Sequence, residues 1–286
     1  MKTVLVSLLF IYFNIYLVKD TSVSDLRSII SIFLQLKMEP LGKSPSSSDL
    51  KYLTWLVLLA QAFGLSAVVL VAVWMGHFQK GFSWQSDPNL EFNYHPLFMI
   101  IGMIFLYSDA ILAYRVFRND KKIYVKLLHA GMHVCALLFA AVGLKAVFDS
   151  HNLPDPPKAN LSTLHSWVGL IAVVLYGLQW LGGFFCFLFP KAGMATRIMM
   201  MPHHQFWGMA IFGFAVAAAL MGITEKAILS IFITFFYFGK PPEGLVANFL
   251  GLMILGLATT VIYILTRPEY KRPPSPDEEH LQLQEN

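Results

Sequence analysis

Asn160-Leu-Ser-Thr-Leu-His165-Ser-Trp-Val-Gly169 opens an apolar run that continues to Pro190, and the reading of that run decides the fold. At 1.5 Å per residue such a run crosses the roughly 30 Å hydrocarbon core of a bilayer as a helix. His165 stands at its mouth. Three other apolar runs also carry a histidine near one end: His95, His129, and the neighbours His203 and His204. An ionisable side chain inside a membrane span is costly and marks function by default. The competing reading is a polar residue at the interface.

Working outward, the 286-residue chain is 56% hydrophobic and 13% charged, with a mean hydropathy of +0.59. Soluble domains carry about 25% charged residues, so this composition is that of an integral membrane protein. Six runs are long enough to span, at residues 53–76, 95–117, 127–148, 165–190, 204–223 and 245–266. Backbone polar groups in lipid must be satisfied within their own segment, so each run is a helix. The fold class is all-α, a polytopic six-helix membrane bundle.

Residues 52–266 form that membrane domain, and residues 1–51 an N-terminal extension. The apolar segment 3–18 resembles a signal peptide but lacks a small-x-small cleavage site, and it is short for a span. Met38 offers an alternative start for the working chain. The Pro-rich, charged residues 267–286 read as a disordered tail. Cys135 and Cys186 fall inside apolar runs, where they read as packed thiols without a disulfide framework.

Loop charges orient the bundle. One side holds Arg115, Arg118, Lys121, Lys122, Lys126, Lys191, Arg197, Arg267, Lys271 and Arg272, and the other Lys80, Lys145, Lys158, Lys226 and Lys240. Lys and Arg concentrate on the cytosolic side of membrane proteins, so the first set, with both termini, is expected there. That puts His95 and His165 near the outer face, with His129 and His203 or His204 near the cytosolic face. Each layer then has one histidine from each of two helices.

Two imidazoles projecting from facing helices suit a bound metal group. Zinc normally takes four ligands, and neither layer offers a second pair of Cys or carboxylates. Haem iron needs only two axial ligands, and bis-imidazole ligation leaves no open position, which suits electron transfer. Spacing does not choose between His203 and His204, which point about 100° apart around their helix. His133, four residues after His129, shares its face and reads as a second donor or a packed core histidine.

The residues resemble the cytochrome b561 family, most of all the animal type of secretory vesicles. The resemblance rests on Phe92-Asn-Tyr-His-Pro96, Ala113-Tyr-Arg-Val-Phe-Arg-Asn119, Lys126-Leu-Leu-His-Ala-Gly131, Ala146-Val-Phe-Asp-Ser-His151 and Leu164-His-Ser-Trp-Val-Gly169. Met201-Pro-His-His204, Pro241-Pro-Glu-Gly244 and Lys271-Arg-Pro273 follow in order, so it covers residues 52–273. It implies two b haems, the outer between His95 and His165 and the inner between His129 and His204. It also implies ascorbate as cytosolic electron donor, with Arg115, Lys122, Lys126 and Arg197 matching its site. His151, with Ser162 nearby, matches the outer acceptor site.

The activity implied is that of a transmembrane oxidoreductase, an ascorbate-dependent monodehydroascorbate or ferric reductase. Single electrons pass from cytosolic ascorbate to monodehydroascorbate, or to ferric or cupric ion, across a vesicle, endolysosomal or plasma membrane. A homodimer in the lipid bilayer is implied as well; no nucleic acid is expected as a partner. A basic rim would concentrate the ascorbate anion, whereas Arg118 and Lys121 are read as obeying only the loop-charge rule. Lys126, one turn before His129, is placed to reach a bound anion or a haem propionate.

Lys145 and Asp109 stand where the resemblance implies neutral residues. Lys145 is expected to add positive charge to the acceptor site, and Asp109 to pair with a basic residue or tune the inner haem. The sequon Asn160-Leu161-Ser162 lies too near the membrane for a glycan to be expected. A flavin-fed reductase is disfavoured because no Gly-x-Gly-x-x-Gly fingerprint follows a strand. The alternative from another class is a histidine-lined metal or proton transporter without haem.

Overall fold

The computed structural model describes residues 47–232 and 242–273. The apolar segment 3–18, Met38 as a start, Lys240 and the tail beyond residue 273 lie outside the described residues. Among the described residues six helices are long and apolar enough to cross a membrane: α1 (Leu50–Phe78), α2 (Pro88–Val116), α3 (Lys122–Asn152), α4 (Leu164–Leu188), α5 (Met194–Ser230) and α6 (Pro242–Thr266). The fold is therefore the all-α six-span bundle that hydropathy indicates.

Two helices begin well before their apolar runs. The Asp87 carboxylate accepts hydrogen bonds from the backbone N–H groups of Asn89 and Leu90 at 3.0 and 3.4 Å, and Pro88 occupies the first helical position. These are capping signals, invisible to hydropathy, and they start α2 two turns ahead of His95. Helix α5 starts at Met194 and runs through Pro202, which removes one N–H without ending the helix. Its 37 residues span about 55 Å, more than the hydrocarbon core. His95 and His204 thus lie inside their helices, not at the ends where the apolar runs place them. Helix α4 does start where expected, on a capping box in which Thr163 and Ser166 bond each other's backbone N–H.

The most extensive packing is between α1 and α6, α2 and α3, and α4 and α5. Small side chains allow it, with Ala60, Ala67, Ala136 and Ala140 fully buried. Gly256 on α6 meets the Phe63 ring of α1 so closely that a Cβ there would lie 2.8 Å from it. Large apolar side chains such as Trp55, Leu58, Leu178 and Phe249 point outward, which in lipid leaves no unmet apolar surface. Cys135 is also exposed, not packed as the sequence suggests, because it lies on the face of α3 turned away from the buried His133, Ala136 and Ala140.

Polar clamps close both ends. At one end Arg115 donates to the Leu265 and Arg267 carbonyls at 2.7 and 3.4 Å, Arg118 to the Glu269 carbonyl at 3.0 Å, and Arg272 to the Phe117 carbonyl at 3.4 Å. The orphan carbonyls at the end of α6 are satisfied by α2. At the other end Glu243 accepts from Trp74 Nε1 at 2.8 Å, Gln79 Nε2 at 2.5 Å and Ser230 Oγ at 3.2 Å, tying α1, α5 and α6 together.

Candidate functional site: two histidine pairs

Helices α2 to α5 bring the four expected histidines together as two pairs. The ring centres of His95 and His165 are 6.1 Å apart, and those of His129 and His204 are 6.2 Å apart. A metal–imidazole bond of about 2.0 Å, with the bonded nitrogen about 1.1 Å from its ring centre, puts two axial imidazoles about 6.2 Å apart. Both pairs have the separation that a metal held between two imidazoles would give. No set of three or more His, Cys, Asp or Glu gathers for a metal ion among the described residues, so the donor sets are two-ligand sets.

Hydrogen bonding fixes which nitrogen is offered. His95 Nδ1 bonds the Gly143 carbonyl at 3.1 Å, His129 Nδ1 the Ala110 carbonyl at 2.7 Å and His165 Nδ1 the Ala218 carbonyl at 2.8 Å. A carbonyl only accepts, so each Nδ1 carries the proton and Nε2 keeps its lone pair for a metal. His204 differs: its Nδ1 faces Gln179 Nε2 at 3.1 Å, and the same amide donates to the His204 carbonyl at 2.7 Å. The three carbonyl partners orient their rings and raise their basicity; the Gln179 amide orients the fourth.

Glycine makes room beside two of the rings. A Cβ at Gly222 would lie 2.7 Å from His165 Cε1, and one at Gly183 would lie 3.0 Å from His204 Cε1. Neither glycine has a positive backbone φ. Their role is space, not backbone freedom.

The bonds are reciprocal between neighbouring helices. His95 on α2 bonds α3, and His129 on α3 bonds α2; α4 and α5 repeat the arrangement through His165 and His204. His129 and Gly143 are fourteen residues apart on α3, as are His165 and Gln179 on α4. At 1.5 Å per residue the two pairs are therefore about 21 Å apart along the bundle.

The basic residues divide. Lys122, Lys126, His129 and His133 recur at spacings of four, three and four, a single face of α3. Lys126 Nζ donates to the Phe187 carbonyl at the end of α4 at 2.9 Å, and the Phe187 ring lies 5.1 Å from that of His204. Arg197 is two turns before His204, its Nη2 is 3.3 Å from Met194 Sδ, and its buried Nε has no partner among the described residues. Arg115 turns the other way, to the end of α6. Burial pulls the Arg118 guanidinium below its ordinary pKa.

At the opposite end His151 Nδ1 and Asn160 Oδ1 are 3.1 Å apart, and the His151 carbonyl accepts from Lys158 N at 2.8 Å. Ser162 is exposed two residues beyond Asn160. Lys145 pairs with Asp149 and lies 5.5 Å from the Trp84 ring, so its charge is largely balanced. Asp109 takes its hydrogen bond from an amide, Gln61 Nε2 at 2.5 Å, not from a basic residue. Sequence reasoning missed Gln61, Gln179 and the two glycines; Gln179 and the glycines share α4 and α5 with His165 and His204, whereas Gln61 lies on α1, away from the four histidines.

Residues 94–230 match the eukaryotic cytochrome b561 family. The transmembrane ascorbate-dependent reductase CYB561 of Homo sapiens is 43% identical over 231 residues, covering 81% of this chain and 90% of that protein. The one of Ovis aries is 42% identical over 244 residues, 85% of this chain and 93% of the other. The plasma membrane ascorbate-dependent reductase CYBRD1 of Mus musculus is 39% identical over 230 residues, 80% of this chain and 78% of the other.

Proposed function

The chain belongs to the cytochrome b561 family, and from that we propose a transmembrane ascorbate-dependent reductase that moves single electrons from cytosolic ascorbate to an acceptor on the far side. The observation that carries this reading is the two imidazole pairs at 6.1 and 6.2 Å, three of the four rings donating Nδ1–H to a neighbouring helix. Two b haems are assigned, the outer to His95 and His165 and the inner to His129 and His204. Haem supplies reversible one-electron chemistry, and two histidine ligands leave the iron no open position for oxygen.

The chain's own residues supply placement. Lys122, Lys126 and Arg197 line the approach to the inner pair and attract the ascorbate anion. Arg115 contributes charge at the same end while its N–H groups hold α6. At the outer end His151 and Ser162 receive the acceptor, monodehydroascorbate or ferric or cupric ion. With Nδ1 donating to Asn160, Nε2 is the ring nitrogen of His151 left for a metal ion or a proton. The basic end faces the cytosol, the membrane is that of a secretory vesicle or endolysosome, and the working protein is a homodimer.

Purified protein tests this directly. Two haems per chain, reducible by ascorbate, are expected, and liposomes loaded with ascorbate should reduce external monodehydroascorbate or ferric chelate. His151→Ala should slow the outer step and leave haem reduction by ascorbate unchanged. Protein that moves metal ions while binding no haem refutes the reading.

A further inference from the structure

A polar cluster sits in the middle of the bundle, on the side of the inner pair that faces the outer one, and the proposed electron path assigns it no role. His133 is one turn past His129 on α3, 8% exposed, and its Nδ1 lies 2.6 Å from the Tyr176 hydroxyl of α4. Tyr176 is 2% exposed. Its ring lies 4.5 Å from that of Tyr107 on α2, whose own hydroxyl donates to the Gly208 carbonyl of α5 at 2.8 Å. All four histidine-bearing helices meet here. Apolar side chains would fill this space at no desolvation cost, so an imidazole and a phenol buried in lipid-embedded protein mark a function.

The His133 ring is also in contact with an inner ligand. It meets His129 edge to face, with ring centres 4.4 Å apart and planes at 85°. Among the described residues His133 Nδ1 is the hydrogen-bond partner of the Tyr176 hydroxyl; with Tyr176 as donor, the imidazole keeps its proton on Nε2. That fixes both the ring orientation and the direction of its dipole. A preorganised N–H dipole in a low-dielectric interior stabilises negative charge that arrives beside it.

We propose that His133 and Tyr176 are positioning residues for His129: Tyr176 locks the His133 ring, and His133 holds the plane of the inner ligand and raises the reduction potential of the inner site. The pair acts through His129, without exchanging protons or electrons itself. This rests on the reading that His129 and His204 hold a haem. It adds a residue pair that sets the two haems apart in potential.

The test uses the full chain with its haem, by potentiometric titration and by paramagnetic resonance of the ferric form. Tyr176→Phe should move the inner step to lower potential and shift the inner low-spin ferric signal, leaving the outer step and signal in place. His133→Leu should shift them further, and His133→Asn, whose amide oxygen still accepts from Tyr176, should restore part of the shift. Because Tyr176 acts through His133, adding Tyr176→Phe to His133→Leu should change nothing more. Unmoved inner step and signal in Tyr176→Phe, equal shifts at both haems, or additive shifts in the double variant would overturn the pairing alone. Wild-type protein without bis-histidine haem would overturn the underlying reading instead.

Discussion

Replacing Gly222 by alanine tests the outer haem clamp at the Cε1 edge of the His165 ring. The added methyl would lie 2.7 Å from His165 Cε1, 2.9 Å from Nδ1 and 3.3 Å from Nε2. Carbon atoms settle at about 3.5 Å, so the overlap is about 0.8 Å. The ring cannot simply swing aside, because its Nδ1 is tied to the Ala218 carbonyl on the same helix as Gly222. Overpacking typically costs about 1–3 kcal/mol and a lost hydrogen bond about 1, giving about 2–4 kcal/mol against a correctly placed ligand. At about 1.4 kcal/mol per tenfold, the outer haem should be held about thirtyfold to several hundredfold more weakly. The assay is haem per chain together with the number of redox steps. Gly222→Ala should fall from two haems towards one, with the inner step intact. Gly213→Ala on the same helix, with nothing within 4 Å of its Cβ, should retain both. Two haems with unchanged potentials in Gly222→Ala would refute the account of the clamp.

Other residues give shorter tests. Arg115→Ala removes two guanidinium–carbonyl bonds, each worth about 1.5–3 kcal/mol, so it should lower the unfolding temperature in detergent by several degrees and leave KM for ascorbate near its original value. A tenfold rise in KM at unchanged stability would show that Arg115 serves the donor site and not the hold on α6. Lys122→Gln combined with Arg197→Gln should raise KM for ascorbate severalfold with kcat nearly constant, an effect that added salt reduces. Glu243→Ala leaves the Trp74 and Gln79 donors without their acceptor, so thermal stability should drop while both haem potentials stay put; shifted potentials would show that the clamp reaches the sites.

Much of this was legible in the sequence because hydropathy reports burial in lipid and histidine is rare there. The six spans and the four histidine-bearing helices follow from those two facts, with the family motifs pointing to His204 over His203. Helix starts were less legible. Asp87 and Pro88 begin α2 by capping, and Pro202 sits inside α5, so the apolar runs understate both helices. The partners of the ligands were hidden for a different reason. Gly143, Ala110 and Ala218 act through backbone carbonyls, which every residue possesses, so no residue type signals them. Arg115 illustrates a third limit: its charge places it at the basic end, but only packing shows that its N–H groups turn to α6.

The reciprocal bonds mean that the two sites are not independent. On α2, His95 and Ala110 serve the outer and inner pairs; on α3, Gly143 and His129 do the same with a matching interval of about fourteen residues. A slip of one residue between the two helices would rotate the facing side chains by about 100° and break both bonds together. The same holds for α4 and α5. Each pair of helices therefore has one register that satisfies two distant histidines, and the wrong registers lose twice. The roughly 21 Å between the pairs then follows from the rise of four continuous helices, not from the softer packing between them. A separation fixed along the backbone survives side-chain motion, which is what a path for single electrons across a membrane needs.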